Sequence, residues 1–230
     1  MRFNWRTEWP LLLIVAAMFA VALVSWPTAP ERFPVHWGLH GVDGYGSPLE
    51  GVFLDPLIAL GIYLLTLFLP RIDPGRVNYA QFQGAYLAIR LVALLFLAVT
   101  YLMTQLFAHG YQIDVSTIAI LMSGGLLIVL GNFMSKLRPN WFVGIRTPWT
   151  LSSKTAWDRT HRVGGWLFIA GGFVVMASSA APPAVMLGTC LAVPLVIVAI
   201  LFSYSYFVWR GDPDKQPPAG TLPASSAENH

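Results

Sequence analysis

The sequence predicts an all-α membrane protein: a polytopic transmembrane helical bundle of about six spans, with a small extracytoplasmic hairpin-like loop and a cytoplasmic interfacial loop-helix. Three observations predict it. Hydrophobic residues make up 56% of the 230-residue chain and charged residues only 11%, whereas a soluble domain needs roughly 25% charge to cover its surface. The apolar residues fall into six runs long enough to cross a hydrocarbon core of about 30 Å. The basic residues sit at the ends of alternate runs rather than in one patch, so the formal charge of +3 points to membrane topology and not to nucleic acid.

The expected spans, in order, are Trp9–Trp26, Val52–Leu69, Gly84–Ala108, Val115–Met134, Val163–Ala180 and Ala184–Trp209. Arg2 and Arg6 before the first run fit a signal peptide. Trp26-Pro27 and Pro30 do not resemble a small-residue cleavage site, so the run is read as a retained span. Asp55-Pro56 reads as a cap and first helical position opening the second span, and Pro70 as its close. Arg90 falls ~9 Å inside the third span; it is expected to snorkel to the cytoplasmic headgroups, with a pairing role in the bundle interior as the alternative. Pro194 should kink the sixth span. The lone cysteine, Cys190, excludes an intrachain disulfide and reads as a small apolar residue.

Orientation follows from lysine and arginine. All of the 14 basic residues except Arg32 fall on one side, which the positive-inside rule makes cytoplasmic, with both termini inside. The outer side receives the 28–51 loop and is acidic, carrying Glu31, Asp43, Glu50, Asp55 and Asp114. The organisation expected is an N-terminal membrane region 1–108, a second membrane region 109–210, and a disordered cytoplasmic tail 211–230 rich in proline, serine and alanine.

Two loops are longer than helix connection requires. In the outer one, Phe33, Val35 and Trp37 alternate as a strand with one apolar face, and Asp43-Gly44 is a tight-turn dipeptide, so a hairpin on the membrane surface is expected. His36, His40 and Asp43 invite a metal reading. In an extended segment residues four apart stand ~13 Å from each other, so no metal site and no cofactor is expected. His36 is read as an interfacial histidine bonded within its own loop, beside Trp37, Asp43 and Tyr45. In the cytoplasmic loop, Ser152 or Ser153 is a reasonable N-cap. Ala156, Trp157, Thr160, His161 and Gly164 then share one helical face, which predicts a short interfacial helix leading into the fifth span. Asn132, Asn140, Thr147, Thr150, Thr160 and His161, interleaved with glycine and proline, read as a folded polar cap. Arg146, Trp149, Trp157 and His161 are expected to act as one unit, with Asp158, Thr147, loop carbonyls or a lipid phosphate as partners for Arg146. The sequence shows no nucleophile–base pair. An enzymatic alternative would use Arg138, Arg146, Arg159 and His161 on a lipid or lipid-linked phosphate, with His161 as acid or base.

These loops carry a family resemblance. Gly144-Ile-Arg-Thr-Pro-Trp-Thr-Leu-Ser152, then Trp157, Thr160-His161 and Gly164-Gly165, resembles the signature of the SdpI family of bacterial immunity and signalling proteins. Gly131-Asn132, Lys136 and Pro139-Asn140 match upstream, while Ser135 stands where the family usually has proline. Pro34-Val-His36 and Gly41-Val-Asp43-Gly-Tyr45-Gly46 resemble the domain of unknown function found N-terminal to that signature. The resemblance implies a multi-pass plasma-membrane protein. It would protect against a secreted antimicrobial peptide or relay its presence to a cytoplasmic regulator, with membrane lipids as its surroundings and no direct contact with nucleic acid.

Overall fold

A computed structural model describes residues 4–38 and 41–216. Six helices are long and apolar enough to cross a membrane. They are α1 (Trp5–Ser25), α2 (Pro48–Ile72), α3 (Gln83–Ala108), α4 (Val115–Met134), α6 (Lys154–Ala177) and α7 (Pro183–Arg210), with a one-turn helix α5 (Pro148–Ser152) between the fourth and fifth. The only sheet among the described residues is a hairpin of β1 (Phe33–Gly38) and β2 (Gly41–Gly46). The protein is a multi-pass helical membrane protein.

The second span begins a full two turns before the Asp55-Pro56 expected to open it. Ser47 and Glu50 form a reciprocal capping box with Pro48 at the first helical position, a stronger start than an aspartate–proline pair because it satisfies two orphan donors at once. Pro56 and Pro70 therefore lie inside α2, and Pro70 does not end it. Each proline lacks the N–H that would bond the carbonyl four residues back. Those carbonyls belong to Val52 and Thr66, and each is taken by a tyrosine of the antiparallel α3. The Tyr101 hydroxyl donates to Val52 O at 2.8 Å and the Tyr86 hydroxyl to Thr66 O at 2.5 Å. Two helix defects thus become two cross-links between neighbouring spans, as hydrocarbon requires.

α1 packs on this pair through Leu11, Val15, Met18 and Ala22, which share one helical face and meet Ala59, Tyr63, Leu94 and Tyr101. The second half is built on glycine. A Cβ on Gly131 would lie 2.7 Å from Gly165 O, and one on Gly172 would lie 2.5 Å from Gly124 O. α4 and α6 therefore touch backbone to backbone at two levels seven residues apart, the close approach that small residues permit in membranes. α7 packs along the other side of α6.

The hairpin forms as expected, but its turn does not use Asp43-Gly44. Gly38 pairs with Gly41, so Asp43 and Gly44 lie within β2. Register irregularities around His36 also break the expected apolar alternation. Phe33 is buried against Gly51 of α2 and Trp37 sits edge-on to Phe107 of α3, whereas Val35 is exposed.

Candidate functional site

Two polar centres and one cavity carry the geometry. The first centre is the cap on the side of the α2–α3 and α4–α6 connections. Asn140 is buried and uses its whole bonding capacity. Its Nδ2 donates to Arg138 O and Val143 O, both at 2.9 Å, and its Oδ1 accepts from the Phe142 and Val143 N–H at 2.9 and 2.6 Å. The turn so shaped brings Gly144, at φ +108°, directly over His161, where a Cβ would stand 2.4 Å from the ring nitrogen Nε2. The next amide, Ile145 N–H, donates to His161 Nε2 at 3.0 Å, and His161 Nδ1 donates to Trp157 O at 2.8 Å. A nitrogen that faces a carbonyl must carry the proton, and one that accepts an amide must not, so the ring is neutral with both nitrogens committed. The ring also stacks on Trp157, whose indole donates to Leu137 O at 3.0 Å.

Thr147 caps α5 in a reciprocal box with Thr150, and its hydroxyl meets that of Ser205 on α7 at 3.0 Å. The Thr150 hydroxyl reaches back to Ile145 O at 2.8 Å. Ser153 caps α6 and donates to Asp212, while Gln216 N–H bonds Ser152 O. The Ser153 hydroxyl holds the Asp212 carboxyl below its ordinary value. Residues 211–216, expected as the start of a free tail, are therefore docked on the cap; the remainder of that tail and Arg2 lie outside the described residues. The predicted interfacial helix exists only as the first turns of α6, continuous with the span. Its face of Ala156, Trp157, Thr160, His161 and Gly164 is buried as expected, with the Thr160 hydroxyl unpaired among the described residues.

The expected unit of four does not hold together. Trp157 and His161 form its centre, but Trp149 packs instead on Phe202 and Tyr206 of α7 at 4.7 and 5.2 Å. Arg146 is exposed, with one N–H fixed on Trp141 O at 2.7 Å, and Asp158 pairs with Lys154 rather than with it. Asn132 lies on the exposed side of α4 and takes no part in the network. Sequence reading missed Asp73, which is 1% exposed and accepts from Gly75 N–H, the Tyr79 hydroxyl and Trp141 N–H at 2.6, 2.8 and 3.1 Å. Asn78 adds a bond to Pro139 O at 2.7 Å. The α2–α3 connection and the cap are thus one body. Asp73-Pro74-Gly75 was the available signal, an Asx-turn sequence.

The second centre corrects the reading of Arg90. It does not snorkel: it is 3% exposed and binds Glu8 of α1 through two bonds of 2.8 Å, with its Nε on Thr66 of α2 at 3.1 Å. Tyr63 and Tyr86 flank the guanidinium at 5.6 and 5.9 Å. A bidentate carboxylate answers the guanidinium more completely than lipid phosphates reached along a stretched side chain. Glu8 in the first turn of α1 also lies favourably in the helix dipole.

At the hairpin end, a cavity of 590 Å³ lies between Val35 and Trp37, the start of α4 at Val115 and Ile120, and the start of α7 at Leu187 and Cys190. The Trp37 indole N–H is buried without a partner among the described residues. Asp114, at the rim, caps α4, and the Thr117 hydroxyl and amide hold its carboxyl below the ordinary range. His36 Nδ1 meets Asp43 at 2.5 Å, so the two candidate ligands bond each other; His40 lies outside the described residues. Tyr45 is exposed, under the Arg32 guanidinium at 4.7 Å. The enzymatic alternative finds no support, since His161 has no free nitrogen and Arg159 faces outward.

Comparison with known proteins agrees with this reading. Residues 136–207 match the SdpI/YfhL protein family, and residues 13–60 match the domain of unknown function DUF1648. The chain is 27% identical over 198 residues to the Immunity protein SdpI of Bacillus subtilis (strain 168), covering 85% of this chain and 93% of that protein. No solved structure matches. The chain is thus a six-helix membrane protein in which a region that matches the SdpI/YfhL family follows a region that matches DUF1648.

Proposed function

We propose that this protein is a non-catalytic immunity protein of a bacterial plasma membrane, with both termini in the cytoplasm, that meets a secreted antimicrobial peptide on its hairpin face. The observation that carries the reading is likeness to an immunity protein along 85% of the chain. The basic asymmetry supports the orientation. The mainly apolar cavity, with Asp114 at its rim, supports contact with an amphipathic peptide, and the hydrogen-bonded cap, which ties the α2–α3 and α4–α6 connections to residues 211–216, is the element suited to present the state of the spans to a cytoplasmic regulator.

The test is expression in a Bacillus subtilis strain that makes its own peptide toxin but lacks its own immunity protein. Protection is expected, and Ala119→Trp, which fills the cavity, should remove it at unchanged membrane abundance. Absence of protection from an abundant wild-type chain overturns the immunity reading; protection undiminished by Ala119→Trp overturns the role of the cavity. A cysteine replacing Ser47 should react with an impermeant maleimide in intact cells and one replacing Ser135 should not, in a chain whose Cys190 is replaced. The reverse pattern overturns the orientation.

A further inference from the structure

Beneath the cap lies a second cavity, of 440 Å³, apart from the one assigned to the peptide contact. Its walls are Ile89 of α3, Leu130 and Met134 of α4, Phe168 of α6, and Val198 and Phe202 of α7. The last two are 60% and 51% exposed. On a membrane-spanning helix exposed valine and phenylalanine face acyl chains, so the slot opens sideways into the bilayer. Its polar end is closed by the Gly144–Thr147 backbone and by Arg146.

Arg146 has the form of a fixed and unanswered cation. One guanidinium nitrogen is tethered to Trp141 O at 2.7 Å, which restricts the side chain and leaves its other donors outward. Ion pairs among the described residues use Arg90 and Lys154 as their cationic members, together with His36, and none involves Arg146. The nearby Asp73 is saturated by donors of its own. An apolar slot ending in a planar, oriented guanidinium matches one chemistry: a hydrocarbon chain attached to a phosphate.

We infer that this slot is a binding site for an anionic glycerophospholipid, one acyl chain lying between α3 and α7 and its phosphate on Arg146. The site stands on the cavity and on Arg146, and it holds whether or not the protein confers immunity. A headgroup without its own ammonium leaves the phosphate free to answer Arg146, so phosphatidylglycerol is favoured over phosphatidylcholine. The occupied slot would brace the loop whose amide holds His161, and so join lipid composition to the shape of the cap.

The experiment is native mass spectrometry of the purified full chain in non-ionic detergent, titrated with dioleoyl phosphatidylglycerol or dioleoyl phosphatidylcholine. Wild type should retain phosphatidylglycerol roughly fivefold better, the scale of one basic residue at an anionic surface. Arg146→Gln should abolish that preference while still binding both lipids weakly. Val198→Trp, which narrows the slot from its lipid side, should lower retention of both. Arg162→Gln, on the exposed side of α6, should leave the preference intact. Melting temperatures measured on the same samples confirm that each variant is folded, and Arg146→Lys serves in place of Arg146→Gln if the latter is not: it keeps the charge, loses the fork and should give an intermediate preference. Equal retention of the two lipids by wild type, or an unchanged preference in the Arg146 variant, overturns the proposal. So does displacement by inorganic phosphate alone, which would make this a free-anion site, and so does equal loss in Arg162→Gln, which would make it diffuse surface charge.

Discussion

Replacing Arg90 by methionine removes one partner of an ion pair that the fold has buried almost completely. Two bonds of 2.8 Å join Arg90 to Glu8, and both residues are at most 5% exposed. At ~4 Å and an effective dielectric constant of about 20, two unit charges attract by roughly 4 kcal/mol. Breaking such a pair from one side typically costs about 3–5 kcal/mol, because the charge left behind keeps its desolvation without its partner. Against a whole-protein stability of about 5–15 kcal/mol, Arg90→Met should therefore cost roughly a fifth or more of it. Glu8→Gln should cost a similar amount, and the doubly substituted chain should return to within ~1 kcal/mol of wild type. The assay is reversible unfolding in mixed micelles, followed by tryptophan fluorescence and by helical circular dichroism. Arg90→Lys adds a second readout, since a lysine cannot make the two parallel bonds and should lose part of the stability. Single variants as stable as wild type, with Arg90→Lys fully tolerated, would show that Arg90 reaches the headgroups after all and would refute the pairing argument.

Three further outcomes follow from the geometry. Tyr86→Phe should destabilise by about 1–3 kcal/mol by orphaning the Thr66 carbonyl, and adding Pro70→Ala should recover most of it by restoring the missing helical N–H; an uncorrected double variant on the same unfolding assay would deny the proline–tyrosine exchange. Gly144→Ala meets both a left-handed backbone and the His161 ring, so it should cost about 2–4 kcal/mol and lower membrane abundance, while Gly61→Ala, in open space, should not. The depressed Asp212 carboxyl adds stability above the ordinary aspartate value of about 3.9 and loses it as pH falls through its lower folded value; hydrogen exchange at residues 211–216 should therefore rise only at acid pH, and in Ser153→Ala it should rise at a higher pH than in wild type.

Much of the fold was legible because lipid imposes coarse rules. A span must be apolar for some twenty residues, and that signal survives any error about which residue caps it. The second span shows the limit. Asp55-Pro56 and Ser47-Pro48 are both cap-like pairs, and the choice between them depended on Glu50 three residues after Ser47, a reciprocal partner that the earlier start alone possesses. The face of Trp157, Thr160 and His161 was readable from spacing. The hairpin was readable from alternation, but its turn was not: the pairing of Gly38 with Gly41 puts Asp43-Gly44 inside β2, where Asp43 bonds His36.

What sequence could not supply is the meeting of residues distant in the chain. Arg90 looks like a snorkelling residue until Glu8, 82 positions earlier, is seen beside it. Asp73 looks like a turn residue until the Trp141 amide arrives from another connection. Tyr86 and Tyr101 look like ordinary membrane aromatics until the carbonyls freed by Pro70 and Pro56 face them. In each case a polar group that would be costly alone in hydrocarbon is answered from a different helix. The polar residues of this chain therefore act less as local signals than as the pairing rules by which α1, α2 and α3 choose one another. The same logic gives Arg146 its interest: its guanidinium is tethered to Trp141 O and takes part in no ion pair among the described residues, so the proposed lipid phosphate would answer it from the bilayer.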